Sequence, residues 1–205
     1  MKTLVIDSAT EACSVALFDG AALIGGDCRM LGRGHAEQLV PMIQALPGKG
    51  QAERIAVALG PGSFTGVRVG LAAARALAFA WGAELVGYPT LSLLAAMAQR
   101  EHPGEAVTVC TTGGHGEWFV QAFDGGASPL GALASLRPDD AAQSAGTMLF
   151  AGSQAEALVA ARGQGTALPI WPDARCFHLL PDSQITAEVA PLYGRAPDAR
   201  LPGAA

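Results

Sequence analysis

The run Gly60-Pro61-Gly62-Ser63-Phe64-Thr65-Gly66-Val67-Arg68-Val69-Gly70 limits the folds open to this chain more than any other stretch. The apolar segment from Ile55 to Leu59 enters it, and an Ala-rich segment from Val67 to Trp81 leaves it. That order predicts a buried strand, a tight glycine turn and a helix. Ser63 or Thr65 can cap the helix by accepting a bond from a free backbone N–H. Helix starts of this kind hold anions, because their N–H groups are unpaired and the dipole is positive there. A plain strand-to-helix junction uses the same residues. Two nucleotide motifs are excluded: no Lys follows Gly66 as a Walker A loop requires, and the glycine spacing is one residue too long for a dinucleotide fingerprint. Gly62, Gly66, Gly70, Ala74 and Ala78 recur every four residues, which sets them on one helix face. That face has almost no side chain, so a second helix backbone can approach closely. Arg68 and Arg75, and the length of the segment, exclude a membrane span.

The 205 residues suffice for one large or two small domains. Half are hydrophobic and only 15% charged, so a sizeable core is expected and disorder is not. The net charge of −5 argues against direct nucleic-acid binding, which needs clustered Lys and Arg to neutralise phosphates. Asp7 and Glu11 interrupt the first apolar stretch, so no signal peptide is predicted. With no transmembrane run either, a cytoplasmic protein is expected. Cys13, Cys28, Cys110 and Cys176 lie far apart, which predicts reduced, mostly buried thiols rather than a zinc or redox motif.

Taken in order, Thr3–Asp7, Cys13–Phe18 and Ala22–Arg29 read as three antiparallel strands, with Asp19-Gly20 as a hairpin signal. An Asp followed by hydroxyl residues after the first strand suggests a phosphate-facing hairpin. It resembles the opening of the actin, hexokinase and Hsp70 type of ATPase domain. It serves equally as a meander whose Asp7 caps a turn. Leu39, Met42, Ile43 and Leu46 form one stripe of a helix beginning near His35, with Pro41 inside it. Glu84–Tyr88 is a strand and Pro89-Thr90 starts a helix. After a linker at His102–Glu105 the theme repeats more faintly, with strands at Ala106–Thr111, Glu117–Phe123 and Met148–Ala151 and helices near Arg137 and after Gln154. The division expected is residues 1–103 as one lobe and 104–205 as a smaller one, each an α/β unit.

Three segments carry a resemblance. Ile6–Leu17, His35–Pro41 and Gly60–Gly70 resemble, in order, the first half of the TsaB (YeaZ) family. Gly116-Glu117-Trp118-Phe119 and Pro191-Leu192-Tyr193-Gly194-Arg195 match it more loosely. The resemblance implies a two-lobed actin-like fold (ASKHA, ribonuclease H-like) with mixed sheets. It further implies a non-catalytic scaffold in the complex that forms N6-threonylcarbamoyladenosine in tRNA. The partners implied are a TsaD-type transferase, bound as a heterodimer, and a TsaE-type ATPase, with tRNA contacted only indirectly. A homodimer is expected when the chain is alone. The helices would pair with the transferase through His35, Leu39, Met42, Ile43, Gly62, Gly66, Gly70 and Ala74. On that reading Gly70→Leu abolishes pairing while the monomer folds. No cofactor is expected in the chain itself. An ATP or ADP near the partner junction makes Asp7, Ser8, Thr10, Gly60, Gly62 and Ser63 candidate contacts.

TsaD carries an H-x-x-x-H metal pair, and here Thr90 and Leu94 stand at those places. No metal site is therefore expected, and His35, His102, His115 and His178 form no other ligand spacing. Members of the family usually have Asp-Ala-Arg where this chain has Thr112, Gly113 and Gly114, and the connection from Pro47 to Glu53 is short. A competing reading, an actin-like small-molecule kinase or ATPase, would need Asp7 as its carboxylate. A peptidase would need the missing His pair or a triad, and Ser63 has no base near it in sequence.

Overall fold

The first strand, β1 (Lys2–Asp7), is buried from Thr3 onward and lies at the centre of a five-stranded sheet. The structure, a computed structural model, describes residues 1–194. β2 (Ala12–Asp19) returns antiparallel to β1, and β3 (Ala22–Met30) forms the outer edge. β4 (Arg54–Ala58) and β5 (Glu84–Tyr88) run parallel to β1 on its other side, giving the order β3-β2-β1-β4-β5. Parallel neighbours need crossovers. These are α1 (His35–Ala45), reached through β2 and β3, and α2 (Phe64–Trp81). α1 runs unbroken, with Pro41 on its exposed side, where the carbonyl that loses its N–H partner faces water. α2 starts at Ser63, whose Oγ accepts from the Gly66 N–H at 3.3 Å, and stops at Gly82 in the left-handed region.

α3 (Thr90–Glu101) leads to a second sheet. Its strands are β6 (Val107–Thr112), β7 (Trp118–Phe123), β8 (Ala134–Leu136), β9 (Leu149–Ala151) and β10 (Thr166–Leu168), in the order β10-β9-β6-β7-β8. α4 (Pro138–Ser144) and α5 (Ala155–Arg162) cover it. The second sheet repeats the first: an antiparallel meander, then two strands added parallel to the first strand of the set. The faint echo in the sequence is thus a repeated topology. β8 and β10, three residues each, are too short to carry a periodic signal.

The lobe boundary at residue 103 is corrected. α3 belongs to both lobes, with Leu93 and Met97 in the core of the first and Leu91, Leu94, Ala95 and Ala98 in the core of the second. The chain also returns. The turn Ala174–Leu179 packs on β2 and β3, where Ser14 Oγ accepts from the Ala174 N–H at 2.9 Å, and Thr186 pairs with Gly87 on the edge of β5. Residues 170–194 therefore pack mainly on the first lobe, while Ile170, Leu179 and Gly194 also touch the second.

The glycine ridge is the second correction. Gly66, Gly70 and Ala74 are buried and face the chain's own sheet, and Gly62 lies against Ala9. Ser8 Oγ donates to the Gly66 carbonyl at 2.9 Å, and a Cβ on Gly70 would stand 2.6 Å from Ser8 Oγ. The small face exists so that α2 can settle on the β1–β2 turn. His35, Leu39, Met42 and Ile43 are likewise buried. His35 Nε2 bonds the Thr10 carbonyl at 2.9 Å and pins the same turn from α1. None of these residues offers its side chain to a partner. The four thiols are free, and burial pushes those of Cys13 and Cys110 up to about 12, so these two are inert.

Candidate functional site

Two surfaces hold the residues that the sequence singles out. The first is the cleft between the lobes. The loop after β1, the start of α2, the β6–β7 loop and the last described residues converge there around a cavity of about 630 Å³. Thr10, Gly62 and Ser63 line it. Asp7, Ser8 and Gly60 do not. Ser8 spends its hydroxyl on Gly66, and the Gly60 carbonyl accepts from the Thr90 N–H at 2.8 Å.

Asp7 is fully buried. Its carboxyl accepts from the Ala9 N–H at 3.0 Å and from the Tyr88 hydroxyl at 3.3 Å. Burial is the largest effect on it and pushes its pKa up to about 7, against the lowering effect of both hydrogen bonds. It props the floor of the turn and does not face the cleft, so the carboxylate on which the kinase reading rests does not reach the cavity wall. Glu11, from the same turn, is the acidic residue that does. The second lobe contributes Thr112, Gly113 and Gly114 opposite, with no carboxylate among them. Among the described residues no three His, Cys, Asp or Glu side chains come close enough to share a metal ion. Thr90 and Leu94 are fully buried, and Leu94 packs in the second core. A hydrocarbon side chain has no donor atom, so these positions do not fit a metal.

Residues that sequence reasoning passed over make the rest of the wall. Phe64 and Arg68 of α2, Phe119 of β7 and Tyr193 ring the opening. The Arg68 guanidinium lies 3.5 Å from the Phe64 ring centroid and donates to Tyr193 Oη at 3.2 Å. Gly194 lies against the Phe119 ring. The two loosely matching late motifs thus meet in space. Arg195, the last residue of the second motif, lies outside the described residues.

The second surface is the outer side of α1 and α2. Ala36, Val40, Pro41 and Gln44 of α1 are exposed there, as are Ala72, Ala76 and Ala80 of α2. The last three are spaced every four residues and share a face. Phe79 is 93% exposed beside them. Val40, Gln44, Lys49, Ala73, Leu77 and Trp81 border a groove of about 360 Å³ between the two helices. Together these residues make a largely apolar outer face on two neighbouring helices.

A family model described as "TsaD: tRNA N6-adenosine threonylcarbamoyltransferase" matches residues 29–170. The solved structure of YeaZ from Pseudomonas aeruginosa superposes with a TM-score of 0.77 and 25% identity, covering 94% of this chain and 99% of that one. The chain belongs to the TsaD family, in its TsaB/YeaZ branch. Its fold is the two-lobed, actin-like α/β fold of that branch. The tRNA threonylcarbamoyladenosine biosynthesis protein TsaB of Escherichia coli is 35% identical over 124 residues, which is 58% of this chain and 53% of that protein. TsaB of Haemophilus influenzae is 43% identical over 108 residues, 48% of this chain and 42% of that protein. The matched part of the chain spans about half the length of these curated relatives. No helix of the described residues is long and apolar enough to cross a membrane.

Proposed function

We propose that this chain is a non-catalytic subunit of the complex that forms N6-threonylcarbamoyladenosine in tRNA, and that it binds and activates a TsaD-type transferase. The observation that carries this reading is the outward face of α1 and α2, where Val40, Ala72, Ala76 and Phe79 present an apolar, small-residue surface on a member of the TsaB/YeaZ branch. Alanines four residues apart let a second pair of helices approach closely, and the exposed ring supplies an anchor of the kind that dominates interface energetics. The interface assigned here keeps the two helices expected from the sequence but uses their opposite faces.

The absence of catalysis is supported by Leu94, which has no donor atom where the transferase has a metal ligand, and by the turned-away Asp7. Substrate chemistry then falls to the partner, and so does the tRNA contact, since this chain is acidic. A nucleotide at the partner junction would meet Thr10, Gly62 and Ser63, the three candidates that reach the cleft. A TsaE-type ATPase joins the larger complex, a homodimer forms through the same helices when the transferase is absent, and the assembly works in the cytoplasm.

The test is Ala76→Arg, which places a long cation in the middle of the face. We expect the variant to fold with unchanged melting behaviour and to lose co-elution with the cognate transferase on size exclusion. Retained co-elution at micromolar concentration would refute the interface.

A further inference from the structure

The groove between α1 and α2 is built from two unlike sets of residues. Val40, Leu77 and Trp81 give it apolar walls, whereas Gln44, Lys49 and Gln51 bring in polar groups from the last turn of α1 and the connection after it. Among the described residues that border the groove, Lys49 alone is charged. The backbone pays for its presence. Lys49 has φ 57°, between Gly48 at 61° and Gly50 at 73°, so a side chain stands in the left-handed region where glycine carries no steric cost. The connection is held in that shape. The Lys49 N–H donates to the Leu46 carbonyl at 2.9 Å, the Gln51 N–H donates to the Gly48 carbonyl at 3.2 Å, and Gly50 is buried against Ile43. A lysine where the backbone favours glycine points to a use for its ammonium.

That ammonium meets no ion-pair or hydrogen-bond partner among the described residues. Glu53 accepts instead from the Lys2 N–H, and Glu37 lies in the first turn of α1, at the other end of the helix. The surroundings have the same sign as Lys49. Residues 35–81 hold Lys49, Arg54, Arg68 and Arg75 against Glu37 and Glu53, a surplus of two cations in a chain of net charge −5. Arg68 and Arg75, exposed beside the alanine stripe of α2, bond a tyrosine hydroxyl and a backbone carbonyl. Both acceptors are neutral, so the two positive charges stand. An acidic protein thus presents a cationic, otherwise apolar side along these two helices. A neutral or basic partner laid on the groove would strip water from Lys49 and replace it with nothing. A carboxylate next to the apolar side chain that enters the groove would restore the lost interaction and draw the partner in.

We propose that Lys49 selects the occupant of this groove by charge, and that the occupant is a helix of the TsaD-type transferase bearing an Asp or Glu beside a large apolar side chain. The proposal rests on the reading of α1 and α2 as the transferase-binding face, and adds which kind of helix that face accepts.

The experiment is calorimetric titration of the full chain with the cognate transferase at low and high salt, comparing wild type with Lys49→Met, Lys49→Glu, Lys49→Gly and Ala76→Arg. Lys49→Met keeps the stem and the backbone conformation and removes only the charge. We expect it to bind about tenfold more weakly at low salt, with a flatter salt dependence, and Lys49→Glu to bind about a hundredfold more weakly. Lys49→Gly should bind as weakly as Lys49→Met yet unfold at higher urea than wild type, because it relieves the left-handed side chain. Wild-type affinity in Lys49→Met and Lys49→Glu, with binding still lost in Ala76→Arg, would overturn the selection by charge and leave the interface standing. Wild-type binding by Ala76→Arg would overturn both. Lys49 variants that lose only self-association, read by sedimentation of the chain alone, would assign the groove to a second copy and overturn the proposal as well.

Discussion

Replacing Asp7 by Asn should uncouple the stability of this protein from pH in a defined window. In the folded chain the Asp7 carboxyl is sealed from water and titrates near 7, against an ordinary value of 3.8, with desolvation as the main cause. A carboxyl whose pKa is raised on folding contributes fully below its unfolded value. Its contribution is lost as pH rises through the folded value, because the unfolded chain then releases a proton that the folded chain retains. From 3.8 to about 7 is roughly three units, so at about 1.4 kcal/mol per unit the loss amounts to about 4 kcal/mol. The amide introduced by Asp7→Asn can keep the bond from the Ala9 N–H and meet the Tyr88 hydroxyl, which also donates to the Ile6 carbonyl at 3.3 Å. Urea unfolding of both proteins at half-unit steps from pH 4 to pH 8 measures the difference directly. Wild type should lose ground to Asp7→Asn steadily between pH 4 and 7 and hold a constant difference above that. A difference independent of pH, or one that favours wild type as pH rises, would refute the argument. It would restore Asp7 as an ionised, accessible carboxylate of the sort a kinase requires.

Two other substitutions test the corrected roles of the helices. Gly70→Leu should destabilise the monomer itself, by about 3 kcal/mol or more in chemical denaturation, because the new side chain must displace Ser8 and press on Val57. His35→Ala should cost about 1–3 kcal/mol in the same assay, since the Thr10 carbonyl loses its partner and a buried ring is deleted.

Much of the fold is legible in the sequence, because its long elements carry strong periodic patterns. The strand–glycine turn–helix unit at Ile55–Trp81 and the opening meander fall within a residue or two of their observed limits. The failures share one physical origin. Spacing says which residues share a helix face, but not which way that face points. α2 carries two small stripes, Gly66-Gly70-Ala74-Ala78 and Ala72-Ala76-Ala80, both at intervals of four. The glycine stripe is the one turned inward, since only glycine lets the helix settle on the backbone at Ser8 and Ala9. An outward alanine stripe needs no such approach. The same limit applies to His35, where a polar side chain beside an exposed helix start bonds a buried carbonyl instead. The return of residues 170–194 to the first lobe has no local signal, because its contacts with Ser14, Gly87 and Leu59 join positions more than ninety residues apart. Arg68 and Arg75, seven residues apart on α2, are the visible hint that something lies along that flank.

The central claim is that this chain works by enabling another subunit. It is tested most directly by reconstituting tRNA threonylcarbamoylation from purified cognate transferase, its ATPase partner and the enzyme that supplies threonylcarbamoyl-adenylate, with and without this chain. The account predicts modification only when the chain is present, its loss with Ala76→Arg, and no ATP turnover by the chain alone. Full modification without the chain, or ATP hydrolysis by the isolated chain, would contradict it.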